Sequence, residues 1–156
     1  MMTIRVEYIN PFLRASFGVL EAVLGKMPTK GELGMRPSVF TSQQCNVITG
    51  VAGRIQGQVI YGMSLITADR IASVMIGQPI RTFDQLAASA IAELGNMITG
   101  NAMALLAEAG YVCDITPPTI VRGSNVKIST LNIPALIIPM TLDQGLLELT
   151  VSLQER

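Results

Sequence analysis

Few side chains in this 156-residue chain are suited to chemistry, and the absences narrow the field first. There is no histidine. That removes Ser-His-Asp and Cys-His nucleophilic catalysis, His-ligated metals and His-based pH switching. The two cysteines, Cys45 and Cys113, fit no metal or redox spacing and read as small core residues of a reducing compartment. No phosphate loop and no nucleophile–base pair is visible. What remains is a set of polar residues in one long apolar stretch: Ser89, Glu93, Asn96 and Gly100. With about 100° of rotation per helical residue, Glu93 stands about 40°, Asn96 about −20° and Gly100 about 20° from Ser89. Glu93 and Asn96, three apart, are side-chain neighbours. An amide has no useful basicity, so Asn96 is no general base; it donates from nitrogen and accepts at oxygen, which suits holding a water molecule.

The helix needed to carry this stripe runs from about Phe83 to Ala109, with Thr82 and Gln85 at capping-box spacing and Gly110 as its stop. Ile91, Leu94, Ile98 and Leu105 cluster at about 140–200°, the face expected to pack on a sheet. Between Gln85 and Ala107 the only ionic residue is Glu93. It is surrounded by Ala92, Met97, Met103, Ala104 and Ala107, a smooth surface to which another protein can come close, with Met97 as an adaptable contact. Gly95 and Gly100 weaken the helix by about 1 kcal/mol each relative to alanine, which points to close approach of a partner or a neighbouring helix. The same face also suits a dimer seam, which would cover Glu93, whereas a docking face would leave it open.

The other elements follow from punctuation and periodicity. Asn10 as cap and Pro11 in the first turn predict a first helix to Leu24, stopped by Gly25. Lys26 to Arg36 reads as a loop. Strands are expected near Ser38–Thr41, Asn46–Ala52 and Gln58–Ser64. Thr67 caps a short helix to Met75. After the long helix come strands near Thr119–Arg122, Val126–Asn132, Ala135–Thr141 and Leu146–Leu153. Gln56-Gly57 and Gln144-Gly145, each ahead of an apolar run, suggest an internal pseudo-repeat. The order describes one α/β (α+β) domain over residues 1–156, with helices packed on a largely antiparallel sheet.

Apolar residues make up 49% of the chain and charged residues 14%, which excludes disorder and points to apolar surface buried between subunits. Basic and acidic residues number 11 each, so there is no global field for nucleic acid, although residues 1–81 carry 8 basic against 4 acidic groups and residues 82–156 carry 3 against 7. The N-terminal stretch lacks a signal peptide's apolar region, and no stretch of 18 residues is apolar throughout. The expectation is a cytoplasmic protein that binds neither nucleic acid nor membrane.

The stretch Ser89-Ala-Ile-Ala-Glu93-Leu-Gly-Asn96-Met-Ile-Thr-Gly100 resembles the signature of the CheC/CheX/FliY family of CheY-phosphate phosphatases: Ser or Asp, three residues, Glu, two residues, Asn, three residues, Gly. Asp114-Ile-Thr-Pro-Pro-Thr-Ile-Val121 looks like the segment that follows the active helix in CheX-like members. Val6-Glu-Tyr-Ile-Asn-Pro-Phe12 and Gly57-Gln-Val-Ile-Tyr61 are similar as well, so the likeness spans nearly the whole chain. It implies the family's α/β fold, a homodimer and hydrolysis of the aspartyl phosphate of a CheY-type response regulator in chemotaxis. Asn96 would orient the attacking water and Glu93 would pair with the receiver's active-site lysine, with Ser89, Met97 and Gly100 in support. Phosphoryl transfer is largely positioning and charge stabilisation, and a glutamine plays the comparable role in small GTPases. The chain would need no cofactor or metal of its own; Mg²⁺ is expected in the receiver. A non-catalytic adaptor for a phosphorylated receiver and a structural dimerisation domain remain the alternatives.

CheC-like members carry two copies of the signature, and Thr3, Glu7 and Asn10 half mimic a second. With Asn10 capping a helix that starts at Pro11, Glu7 would precede the helix, and residue 14 is arginine where the signature has glycine. One site per chain is therefore expected, at Glu93 and Asn96.

Overall fold

The computed structural model describes residues 5–156. Its elements run α1 (Val6–Leu24), β1 (Thr29–Lys30), β2 (Gly34–Arg36), β3 (Val39–Thr41), β4 (Cys45–Gly53), β5 (Ile55–Met63), α2 (Leu65–Ile76), α3 (Gln85–Glu108), β6 (Cys113–Ile115), β7 (Thr119–Arg122), β8 (Lys127–Ser129), β9 (Ala135–Leu142) and β10 (Gly145–Glu155). The main sheet has the order β1-β9-β10-β5-β4-β6, with β2 also on β9 and β7 also on β4, and every pair is antiparallel. β3 and β8 form a separate two-stranded ladder. The centre is long and regular: β10 pairs with β5 from Leu147↔Met63 to Glu155↔Ile55.

Period-two alternation sends Val47, Val59, Tyr61, Leu147, Leu149 and Val151 to one face, where they are buried with the apolar sides of the helices. Phe40, Ile60 and Ile128 form a smaller cluster under the β3–β8 ladder. α1 buries Tyr8, Phe12, Ala15, Val19 and Leu20, the three-and-four spacing of an amphipathic helix. Gly25 closes it in the left-handed conformation, its N–H donating to the Glu21 carbonyl at 2.8 Å.

Several local expectations are corrected. α1 starts five residues earlier than the proline predicts, so Asn10 is no cap and Pro11 lies inside the helix. An interior proline costs about 3 kcal/mol. Burying Tyr8 and Ile9, 1% and 5% exposed, returns roughly 3–6 kcal/mol, and helix wins. Thr3 lies outside the described residues. The stretch read as a loop contains β1 and β2, which exist only as partners of β9. Ser64, not Thr67, caps α2, accepting from the Thr67 N–H at 3.1 Å. Asp84, not Thr82, caps α3 by accepting from Ala87 N–H at 2.8 Å. Gln56-Gly57 lies within β5 whereas Gln144-Gly145 straddles the β9–β10 turn, so the two dipeptides are not equivalent.

Candidate functional site

α3 carries the site, and its rotation is set by how it sits on the sheet. Ala87, Ile91, Leu94, Ile98, Ala102 and Leu106 are all buried. Gly95 is wedged against the strands: a Cβ there would lie 2.7 Å from Val47 Cγ1 and 3.3 Å from Tyr61 Cδ2. Its glycine therefore serves contact with the sheet, neither a partner nor a neighbouring helix. One turn on, the buried Thr99 hydroxyl lies 2.6 Å from the Tyr61 hydroxyl and 3.0 Å from Thr49 Oγ1. Burial pushes the Tyr61 phenol well above its ordinary value. These two adjacent anchors, one steric and one polar, leave α3 a single orientation.

That orientation turns the signature outward. Ser89 and Glu93 are exposed, and Asn96 and Gly100 are partly exposed. None of the ion pairs among the described residues uses Glu93. Nor does either Glu93 or Asn96 take part in a side-chain hydrogen bond among them. The pair is thus rigidly mounted and chemically uncommitted. A Cβ at Gly100 would meet nothing within 4 Å, so packing of this chain gives no reason for that glycine. Met97 is half-buried beside Asn96. Leu105, expected on the sheet face, instead lines a groove between α1 and α3, and Leu106 takes the buried place.

The Glu7 and Asn10 pair differs in state. Because α1 begins at Val6, both residues are helical and exposed on one face, contrary to the expectation that Glu7 precedes the helix. Glu7 has Arg5 at 3.9 Å, and Arg5 also reaches Glu155 at 3.3 Å. Cys45 is buried and its thiol is pushed up to about 11 by burial, which makes it inert; Cys113 is half-buried and unpaired, and its sulfur accepts from the Ile55 N–H at 3.4 Å. Among the described residues no group of three or more His, Cys, Asp or Glu is placed to hold a metal ion, and no helix is long and apolar enough to cross a membrane. The Thr49–Thr99–Tyr61 cluster escaped sequence reasoning; a threonine in the buried sector of an otherwise apolar helix face was its only trace.

An antiparallel sheet with three helices on one face, the longest presenting a Glu-x-x-Asn pair outward, defines a CheC-like domain. A crystal structure of a CheC-like superfamily protein from Shewanella sp. PV-4 superposes with a TM-score of 0.88 at 24% identity, over 97% of this chain and 99% of that one. Residues 45–141 match the family model for chemotaxis phosphatase CheX, a span that includes the α3 signature. The CheY-P phosphatase CheX of Thermotoga maritima is 33% identical over 126 residues, 80% of this chain and 81% of that protein. The CheX chain in the crystal structure of the CheX–CheY–BeF3–Mg complex from Borrelia burgdorferi is 34% identical, covers 97% of this chain and 100% of its own length, and superposes with a TM-score of 0.84. The chain belongs to the CheX family.

Proposed function

We propose that this protein hydrolyses the aspartyl phosphate of a CheY-type response regulator and so ends a chemotaxis signal. The observation that carries the reading is the free Glu93–Asn96 pair on the outer face of a clamped helix, in a chain of the CheX family. The relative from Borrelia, solved with CheY, beryllium trifluoride and magnesium, supports the choice of partner. Asn96 holds a water in line with the receiver's phosphorus, donating from nitrogen or accepting at oxygen. Water oxygen bonds to phosphorus, the bond to the aspartyl oxygen breaks, and the aspartate leaves as carboxylate. The water's protons end on the released phosphate and in solvent. An acyl phosphate is activated enough to need no strong base in this chain. The receiver supplies the Mg²⁺ and the lysine, and Glu93 pairs with that lysine to set the approach. Ser89 and Gly100 support the docking face, Gly100 by leaving room.

The protein acts in the cytoplasm, where receivers reside and Cys45 and Cys113 stay as thiols. It acts as a homodimer. Support comes from Met27, Leu33, Met35, Val39 and Leu131, large exposed apolar residues in the segments flanking β9 and the β3–β8 ladder, away from α3 in the sequence. The outer edge of β9 is covered by β1 and β2 and is not free to pair across a two-fold, so the contact runs over that apolar rim. The function is tested by mixing the protein with phosphorylated receivers of the same genome and following loss of phosphate in Mg²⁺. Acceleration for at least one receiver is expected; no acceleration for any sinks the proposal.

A further inference from the structure

Beside the signature stripe, α1 and α3 leave a shallow, largely apolar groove of about 440 Å³ between them. Arg14, Gly18 and Ala22 line it from α1, and Met97, Asn101 and Ala104 from α3. Met97 stands four residues from Glu93 and Ala104 four from Gly100, neighbours on the helix surface, so the groove adjoins the proposed catalytic stripe. Along α3 it extends from residue 97 to residue 105, about 12 Å, enough for one or two side chains of an incoming loop or helical turn. Gly18 lies inside α1, where glycine is a poor choice for a helix, and a Cβ there would meet nothing within 4 Å. The packing of this chain does not require that glycine, just as it does not require Gly100. Two unexplained helical glycines therefore border one continuous surface. Among the described residues Arg14 is the only charged one lining the groove, is exposed, and is in no ion pair.

We propose that this groove is a second contact for the same phosphorylated receiver, a proposal that rests on the function above. Apolar side chains bordering the receiver's phosphorylation pocket seat between Gly18 and Met97, and Arg14 meets a carboxylate beside that pocket. Continuity with Asn96 selects this occupant: a receiver placing its aspartyl phosphate at Asn96 lies over Met97. Opposite charges along the surface, Glu93 toward the receiver's lysine and Arg14 toward its carboxylates, give the docked partner one orientation. Gly18 and Arg14 are specificity determinants, not catalytic residues.

The experiment uses the full chain and a receiver that the wild type dephosphorylates, labelled from a small phosphodonor, with rates measured against receiver concentration. In Gly18→Leu, melting temperature holds or rises, KM rises roughly tenfold or more, and kcat stays within about twofold. Gly18→Ala gives a smaller KM effect, and Arg14→Ala raises KM while flattening its dependence on salt. A folded Gly18→Leu protein with wild-type kcat/KM overturns the groove assignment, as does a fall in kcat at unchanged KM. A changed oligomeric mass in Gly18→Leu also overturns it, because the occupant is then a second copy of this chain. Wild type inactive on every receiver is a different failure, that of the function itself.

Discussion

At the scale of single residues, the proposed site rests on Glu93 and Asn96 being uncommitted: among the described residues neither enters a side-chain hydrogen bond and Glu93 enters no ion pair. On the proposed reading, this carboxylate and amide, on an apolar, alanine-rich face, give up no partner among the described residues when a receiver docks. Glu93→Ala should raise KM for the phosphorylated receiver by one to two orders of magnitude, the cost of leaving a docked lysine unpaired. In the same steady-state assay Glu7→Ala and Asn10→Ala should match wild type, because Glu7 sits beside Arg5 and residue 14 is arginine. Strong losses in either would make α1 a second site. The two α3 glycines should part company. Gly100→Ala, with open space around it, should stabilise the fold by up to about 1 kcal/mol yet slow receiver dephosphorylation. Gly95→Ala pushes a methyl into Val47 and should destabilise by about 1–3 kcal/mol in urea unfolding. The outward stripe was legible because α3 is long and periodic and carries a single charge, Glu93, amid small residues between Gln85 and Ala107. The state of Glu7 and Asn10 was not legible: Pro11 reads locally as a helix start, and only the burial of Tyr8 and Ile9 shows that the helix continues through it.

At the scale of elements, precision comes from the clamp between α3 and the sheet. Thr99→Val strips the Tyr61 and Thr49 hydroxyls of a partner in the core and should cost about 1–3 kcal/mol. Alkaline pH attacks the same region. Burial raises the Cys45 thiol from 9.0 to about 11 and the Tyr61 phenol above its ordinary 10.0. Both groups are neutral when protonated, and in each the folded pKa lies above the unfolded one. Their contribution is therefore complete below about pH 9 and is lost as pH rises, because the unfolded chain gives up these protons first. Urea unfolding at pH 8 and pH 10.5 should show a clear fall in stability, and a flat profile would contradict the burial of both groups. Most long elements could be read from periodicity: α3, β4, β5, β9 and β10 lie within a few residues of expectation. β1 and β2 could not, since two- and three-residue strands carry no pattern of their own and exist by pairing with β9. Caps shifted by two or three positions because Ser64 and Asp84 compete with equally good neighbours, Thr67 and Thr82.

At the scale of the whole molecule, the sheet is a platform and the helical layer carries the proposed site. Strand order was out of reach of local pattern: nothing near β9 announces that β1 and β2 cover its outer edge, or that β10 lies between β9 and β5. The exposed apolar residues around that edge lead to an oligomeric prediction. Sedimentation at micromolar concentration should give twice the chain mass, and Met35→Asp together with Leu131→Asp should reduce it to one chain without loss of receiver dephosphorylation. A wild-type monomer would remove the dimer from the account. The central claim concerns Asn96, and it is tested most directly by the decay of radiolabelled phosphoreceiver in Mg²⁺ with Asn96→Ala, folded by circular dichroism. The account predicts a fall in kcat of roughly a hundredfold or more with KM little changed, because a partly exposed amide that only orients water is lost from the transition state and not from packing. Wild-type kcat in a folded Asn96→Ala protein would show that another group positions the water.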